Sequence, residues 1–142
     1  MFNLLEVFVT KLNYHILREN ILKTENMKIE SKIDLKSQYN RKIKLLEVVI
    51  SMDIKGFEEE LTLLELSIEL SGVFAKNDSY EEPSENALEI FSKVKAPAIL
   101  FPFIVENIHN LTLKSKIKPL IIPYIDFEKL YFENKKFDKI IH

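Results

Sequence analysis

The chain contains no cysteine, which removes disulfides and thiolate metal sites at a stroke. Glycine is almost as scarce, with two in 142 residues, and no glycine-rich loop exists to cradle a phosphate. Neither sign of charge dominates. Twenty basic residues stand against 22 acidic ones for a formal net charge of −2. No long-range field therefore draws in nucleic acid or an anionic membrane. Long apolar runs are missing too. The longest, Ala96 to Val105, holds Pro97 and Pro102 and is about half the ~20 residues a membrane span needs. The first residues, Met-Phe-Asn-Leu-Leu-Glu, have no basic region, and Glu6 interrupts the apolar side chains, so they do not read as a signal peptide. There is no G-x-S-x-G and no defensible pair of catalytic carboxylates. Glu106 and His109 form one E-x-x-H pair, but a di-iron bundle needs two such helices and further glutamates. It reads as a polar stripe on a helix. His15 and His142 have no partner pattern. These absences exclude most enzyme classes, and the expectation is no catalysis, no metal, no cofactor, no nucleic acid and no membrane insertion.

What remains is a chain that is 46% hydrophobic and 30% charged, of single-domain length. Its first half alternates with period two, the mark of strands with one buried face. Strands are expected at about 4–15, 27–39, 42–54 and 60–75. In the first, Leu4, Glu6, Phe8, Thr10, Leu12 and Tyr14 share a face. Leu5, Val7, Val9, Lys11, Asn13 and His15 share the other. In the second, Met27, Ile29, Ile33, Leu35 and Tyr39 oppose a charged face. Tyr39-Asn40-Arg41 and Lys55-Gly56 read as turns. The first connection, to about Asn26, is long enough to cross over, which permits a Greek key.

The second half is helical. Ser84 can cap a short helix over about 85–94. Pro102 suits the first turn of a second helix, about 102–115, with Phe101, Ile104, Val105, Ile108 and Leu111 at helical spacing. Lys114, Lys116 and Lys118 sit near its negative end. Asp126 caps a last helix, about 127–139, with the stripe Phe127, Leu130, Tyr131 and Phe137.

The run Ala96-Pro-Ala-Ile-Leu-Phe-Pro-Phe-Ile-Val-Glu-Asn-Ile and the later Ile125-Asp-Phe-Glu-Lys-Leu-Tyr131 resemble the SecB family of chaperones. A C-P-N-I-L-F-P-Y-A-R-E-C-I-like segment opens that family's long helix, and a V-N-F-D-A-L-F-like segment opens its last. Leu12-Asn-Tyr14, Lys32-Ile-Asp-Leu35 and Gly72-Val-Phe74 also fall at family triplets. The resemblance covers nearly the whole chain. It implies an α+β fold, a four-stranded antiparallel Greek-key sheet with helices on one face. It implies a single chaperone domain over 1–142, a homotetramer built as a dimer of dimers, and a cytoplasmic bacterial location. It places the client groove at Ile29, Ile33, Leu35, Ile121, Phe127, Leu130 and Tyr131. It places Leu66, Ile68, Leu70, Ile104, Val105 and Ile108 at oligomer interfaces. The function implied is an ATP-independent holdase for unfolded polypeptides, serving export. The alternative is a dedicated chaperone of a toxin–antitoxin system holding one antitoxin. The family's acidic contacts with the SecA motor match positions occupied here by Lys11, His15 and Ser67, with Glu65 beside them. The sign there is reversed or lost, so the resemblance does not carry SecA over as a partner.

Overall fold

The computed structural model describes residues 1–17, 27–114 and 122–141, the side chains of 135–141 excepted. The crossover residues 18–26, Lys116, Lys118, Ile121, His142 and the Phe137 side chain lie outside that description. The strands are β1 (Phe2–Ile16), β2 (Lys28–Asn40), β3 (Leu45–Glu58) and β4 (Leu61–Lys76). They form one antiparallel sheet in the order β1-β4-β3-β2. β2, β3 and β4 are a meander and β1 lies beside β4, which is the Greek-key order. β1 and β2 are the sheet's edges.

Side chains alternate across a sheet, so one face of the two central strands carries the core. Leu46, Val48, Ile50, Met52 and Ile54 of β3 and Leu64, Leu66, Ile68, Leu70 and Phe74 of β4 are buried on it. The helices cover that face: α1 (Glu85–Ile90), a π turn (Phe91–Lys95), α2 (Ala96–Lys114) and α3 (Phe127–Ile141). α2 delivers Leu100, Ile104 and Ile108, all fully buried.

The two glycines now have a reason. Neither makes a turn. A Cβ on Gly72 would stand 2.5 Å from Leu100 Cδ2, and one on Gly56 2.7 Å from Met27 Sδ. Each lets a neighbour approach closer than any side chain permits. Gly56 was expected to end the third strand, but β3 runs on to Glu58 and Glu59 turns the chain with φ 54°. The preceding turn also shifts. Asn40 Oδ1 accepts from the Lys42 and Ile43 amides at 3.0 and 3.3 Å, and Lys44 takes φ 56°. β3 therefore starts at Leu45, not at 42. Gly72→Ala is expected to cost about 1–3 kcal/mol by overpacking, read as a lower urea midpoint. Leu100→Ala in the same chain should recover part of it. An unchanged midpoint would mean that α2 is not seated on Gly72.

β1 corrects the expected faces. Its pairing with β4 slips between Leu4 and Glu6 and again between Val9 and Lys11, so Leu5 and Thr10 are bulged residues that reverse the alternation. Phe2, Leu4, Val7, Tyr14 and Ile16 pack on the core. Val7 and Val9 thus share the helix side with Leu4, and Phe8 pairs with Ser71 on the outer face.

The helices differ as well. Ser84 caps α1, its hydroxyl accepting from the Ala87 amide at 3.1 Å, but the helix does not stop near 94. It continues through the π turn into α2. There the Ala96 amide bonds the Phe91 carbonyl, one residue farther back than in an α-helix. The widened turn accommodates Pro97, which has no N–H and whose ring crowds the preceding turn. Pro102, expected at a helix start, lies inside α2. It and Ala98, whose carbonyl loses its donor, sit on the exposed side, where water can take the bond. No helix among the described residues is long and apolar enough to cross a membrane.

Candidate functional site

An open groove of about 250 Å³ lies between the β2 edge and α3. Its floor is set by strand parity. Ile33 and Leu35 pair with the buried Met52 and Ile50, so all four point to the helix side. Its wall is set by helical spacing. Phe127, Leu130 and Tyr131 recur at three and four, which places them on one face. Asp126 fixes where that face begins: its carboxylate accepts from the Lys129 amide at 3.1 Å. Phe127 and Tyr131 are nearly buried, whereas Leu130 is 40% exposed at the lip. Phe127 is locked edge-on against Phe101 of α2, ring centroids 5.7 Å apart.

The structure thus brings Ile33, Leu35, Phe127, Leu130 and Tyr131 together along one groove. Ile29 shares their sheet face but sits opposite Gly56, beyond the groove's lining. Ile121 is outside the described residues. Sequence reasoning missed Asp34, Glu89, Lys93 and Asn134, which line the same groove; Glu89 and Lys93 pair at 3.3 Å. Glu89 and Lys93 lie one helical turn apart, within the helix expected over 85–94; the periodicity of that helix alone does not say that it borders the groove. Glu89 and Lys93 also border a second depression of about 630 Å³ farther along β2. Its lining is mostly polar: Ser37, Tyr39, Arg41, Glu85, Asn86 and Ser92, over Leu46 and Leu88. Burial, and secondarily the Glu82 carboxylate, hold the Tyr39 hydroxyl above its ordinary pKa. It therefore stays a neutral donor to Glu82, at 3.3 Å.

The opposite sheet face carries Lys11, His15, Glu65 and Ser67. Cross-strand pairing sets Lys11 against Glu69, His15 against Glu65 and Ser67 against Asn13 and Asp53. Ser67 Oγ donates to Asp53 at 2.6 Å, Thr10 Oγ1 to Glu69 at 2.7 Å, and Lys55 Nζ stands 4.0 Å from Glu65. Asp53, Glu65 and Glu69 thus each have a polar neighbour within the sheet. Glu106 and His109 are exposed on α2, and no group of three or more metal-ligating side chains occurs among the described residues.

The residues expected at oligomer interfaces form the core of the single chain. Leu66, Ile68, Leu70, Ile104 and Ile108 are at most 1% exposed within the single chain, and Val105 is half-buried against the same core. Their apolar surface docks α2 to the sheet within the chain. Exposed apolar side chains occur on α2, at Ile99, Phe103 and Leu113, and on β1. The β1 edge carries Leu5 (61%), Phe8 (40%), Val9 (39%) and Leu12 (43%).

These features define an α+β protein with helices on one face of a Greek-key sheet and a partly apolar groove along one sheet edge. Residues 1–137 match the family described as Preprotein translocase subunit SecB, and the chain belongs to the SecB family. It is 32% identical over 89 residues to a protein-export protein SecB of Anaplasma phagocytophilum, covering 63% of this chain and 56% of that protein. To the Nitrosospira multiformis protein of the same description it is 26% identical, over 96% of this chain and 84% of that one. The chain spans less than two thirds of the first curated relatives it matches, 56% of the Anaplasma protein and 64% of an Orientia tsutsugamushi one. In fold it resembles a Mycobacterium tuberculosis SecB-like chaperone solved with a peptide from an antitoxin. The TM-score is 0.74 at 13% identity, covering 87% of this chain and 90% of that one.

Proposed function

We propose that the chain is an ATP-independent holdase that binds non-native polypeptides in the groove between β2 and α3. The observation that carries this is the convergence of Ile33, Leu35, Phe127, Leu130 and Tyr131 on one open channel in a chain of the SecB family. The energetics favour promiscuity. Each client side chain buried contributes roughly 1.5–3 kcal/mol, and ordering each backbone residue costs about 1–2 kcal/mol. The net gain per residue is small, so useful affinity needs several grooves engaged at once. A homotetramer would supply them. Its contacts fall to the exposed apolar side chains of β1 rather than to the core residues of β4 and α2. A cytoplasmic location and no enzymatic step complete the reading.

The test is suppression of aggregation of two unrelated unfolded proteins, without nucleotide. Saturation near one client per oligomer for both is expected. A well-folded oligomer that protects neither overturns the reading. The second reading, a dedicated antitoxin chaperone, is favoured by two observations. The related fold is a SecB-like chaperone solved with an antitoxin peptide. The positions on the outer sheet face where the resemblance puts acidic SecA contacts carry Lys11, His15 and Ser67 instead. Tight binding of one antitoxin with no protection of generic clients would decide for it.

A further inference from the structure

Two depressions meet at the Glu89–Lys93 pair, and their chemistry differs. The floor of both is one face of β2, where Ile33 and Leu35 are followed by Ser37 and Tyr39. From Ile33 to Tyr39 the strand rises roughly 20 Å, the length of about seven extended residues. The wall changes with the floor. Phe127, Leu130 and Tyr131, beside Asp34 and Asn134, line the first half; Asn86, Ser92, Arg41 and Glu85 line the second, and Glu89 and Lys93 stand between them.

The charges that line the second depression are already matched. Arg41 lies 3.3 Å from Glu82 and 3.6 Å from Glu85, and Lys93 lies 3.3 Å from Glu89. A charged ligand side chain would have to compete with a pair that is in place. An apolar one would strip water from polar groups and return no hydrogen bond. A hydroxyl or amide both donates and accepts, so it can replace the water it displaces. β2 is a sheet edge, so an extended chain can lie along it across both halves.

We propose that the groove selects by block: its preferred occupant is an extended segment in which a short apolar stretch runs directly into an uncharged polar one. This rests on the groove being the client site.

The test uses labelled peptides of about eight residues with one shared composition, half apolar and half Ser, Thr and Asn. Two carry the blocks in opposite orders and a third alternates them. The alternating peptide presents an all-apolar face, which a uniformly apolar groove would prefer. Fluorescence anisotropy on the full chain should show one block order binding at least about fivefold tighter than the alternating peptide. Added salt should change that affinity less than about twofold. Ser37→Leu, on the polar floor, should abolish the preference. Equal or tighter binding of the alternating peptide, still weakened by Leu130→Asp, overturns block selection and leaves the groove as the client site. No binding of any peptide overturns both.

Discussion

Phe74→Ala should cost about 3–5 kcal/mol of stability, the range for emptying a buried phenylalanine site. Phe74 is fully buried on β4, between Leu4 of β1 and Leu46 of β3. Its ring stands edge-on to Phe91, centroids 5.3 Å apart. Phe91 lies 4.7 Å from Phe2, and Phe2 is edge-on to Tyr39 at 5.9 Å. One aromatic chain therefore joins both edge strands to the π turn. Each such pair adds about 0.5–1.5 kcal/mol beyond its buried area. Leu46 on one side is fully buried and Leu4 on the other partly so, which leaves limited room for side chains to shift into the cavity. Urea unfolding at fixed protein concentration should show a lower midpoint with an unchanged slope. Phe74→Leu, which keeps most of the volume, should cost much less. A shift under about 1 kcal/mol for alanine would mean that the helices are held to the sheet mainly elsewhere.

The same contacts explain what was legible in the sequence. β2 and β4 alternate with period two because one face meets the helices and the other meets solvent, so their faces can be read directly. β1 alternates on paper as well, but its bulges at Leu5 and Thr10 carry no residue signature, and the middle of the strand was assigned to the wrong side. Proline gave the second error. Pro102 reads as a helix start, whereas it lies on the exposed side within α2. Burial is a further feature the sequence leaves open. Leu66, Ile68, Leu70, Ile104 and Ile108 are apolar enough for an interface, but hydrophobicity does not say whose surface covers them. The groove side chains were legible because two strong periodicities place them: period two for Ile33 and Leu35, period 3.6 for Phe127, Leu130 and Tyr131. That the two faces meet came from the family resemblance, not from the periods.

Leu130→Asp separates the groove from the fold. Leu130 is 40% exposed, so little core packing is lost. It sits near the start of α3, where a carboxylate is favourable to the helix dipole. The folded chain and its oligomer should therefore survive, with an unchanged sedimentation profile. A client side chain that would bury against Leu130 meets a hydrated carboxylate instead. Losing one such contact, about 1.5–3 kcal/mol, corresponds to roughly 10- to 100-fold weaker binding, measured with a labelled unfolded protein. Leu130→Ala should fall between, because it removes area without adding charge. Phe127 would be the wrong position to test, since it is 3% exposed and holds α3 to α2 through Phe101; its loss would mix unfolding with binding. If Leu130→Asp binds clients as the parent chain does, from an intact oligomer, the channel between β2 and α3 is not where clients are held. The exposed apolar side chains of β1 would then be the next surface to mutate.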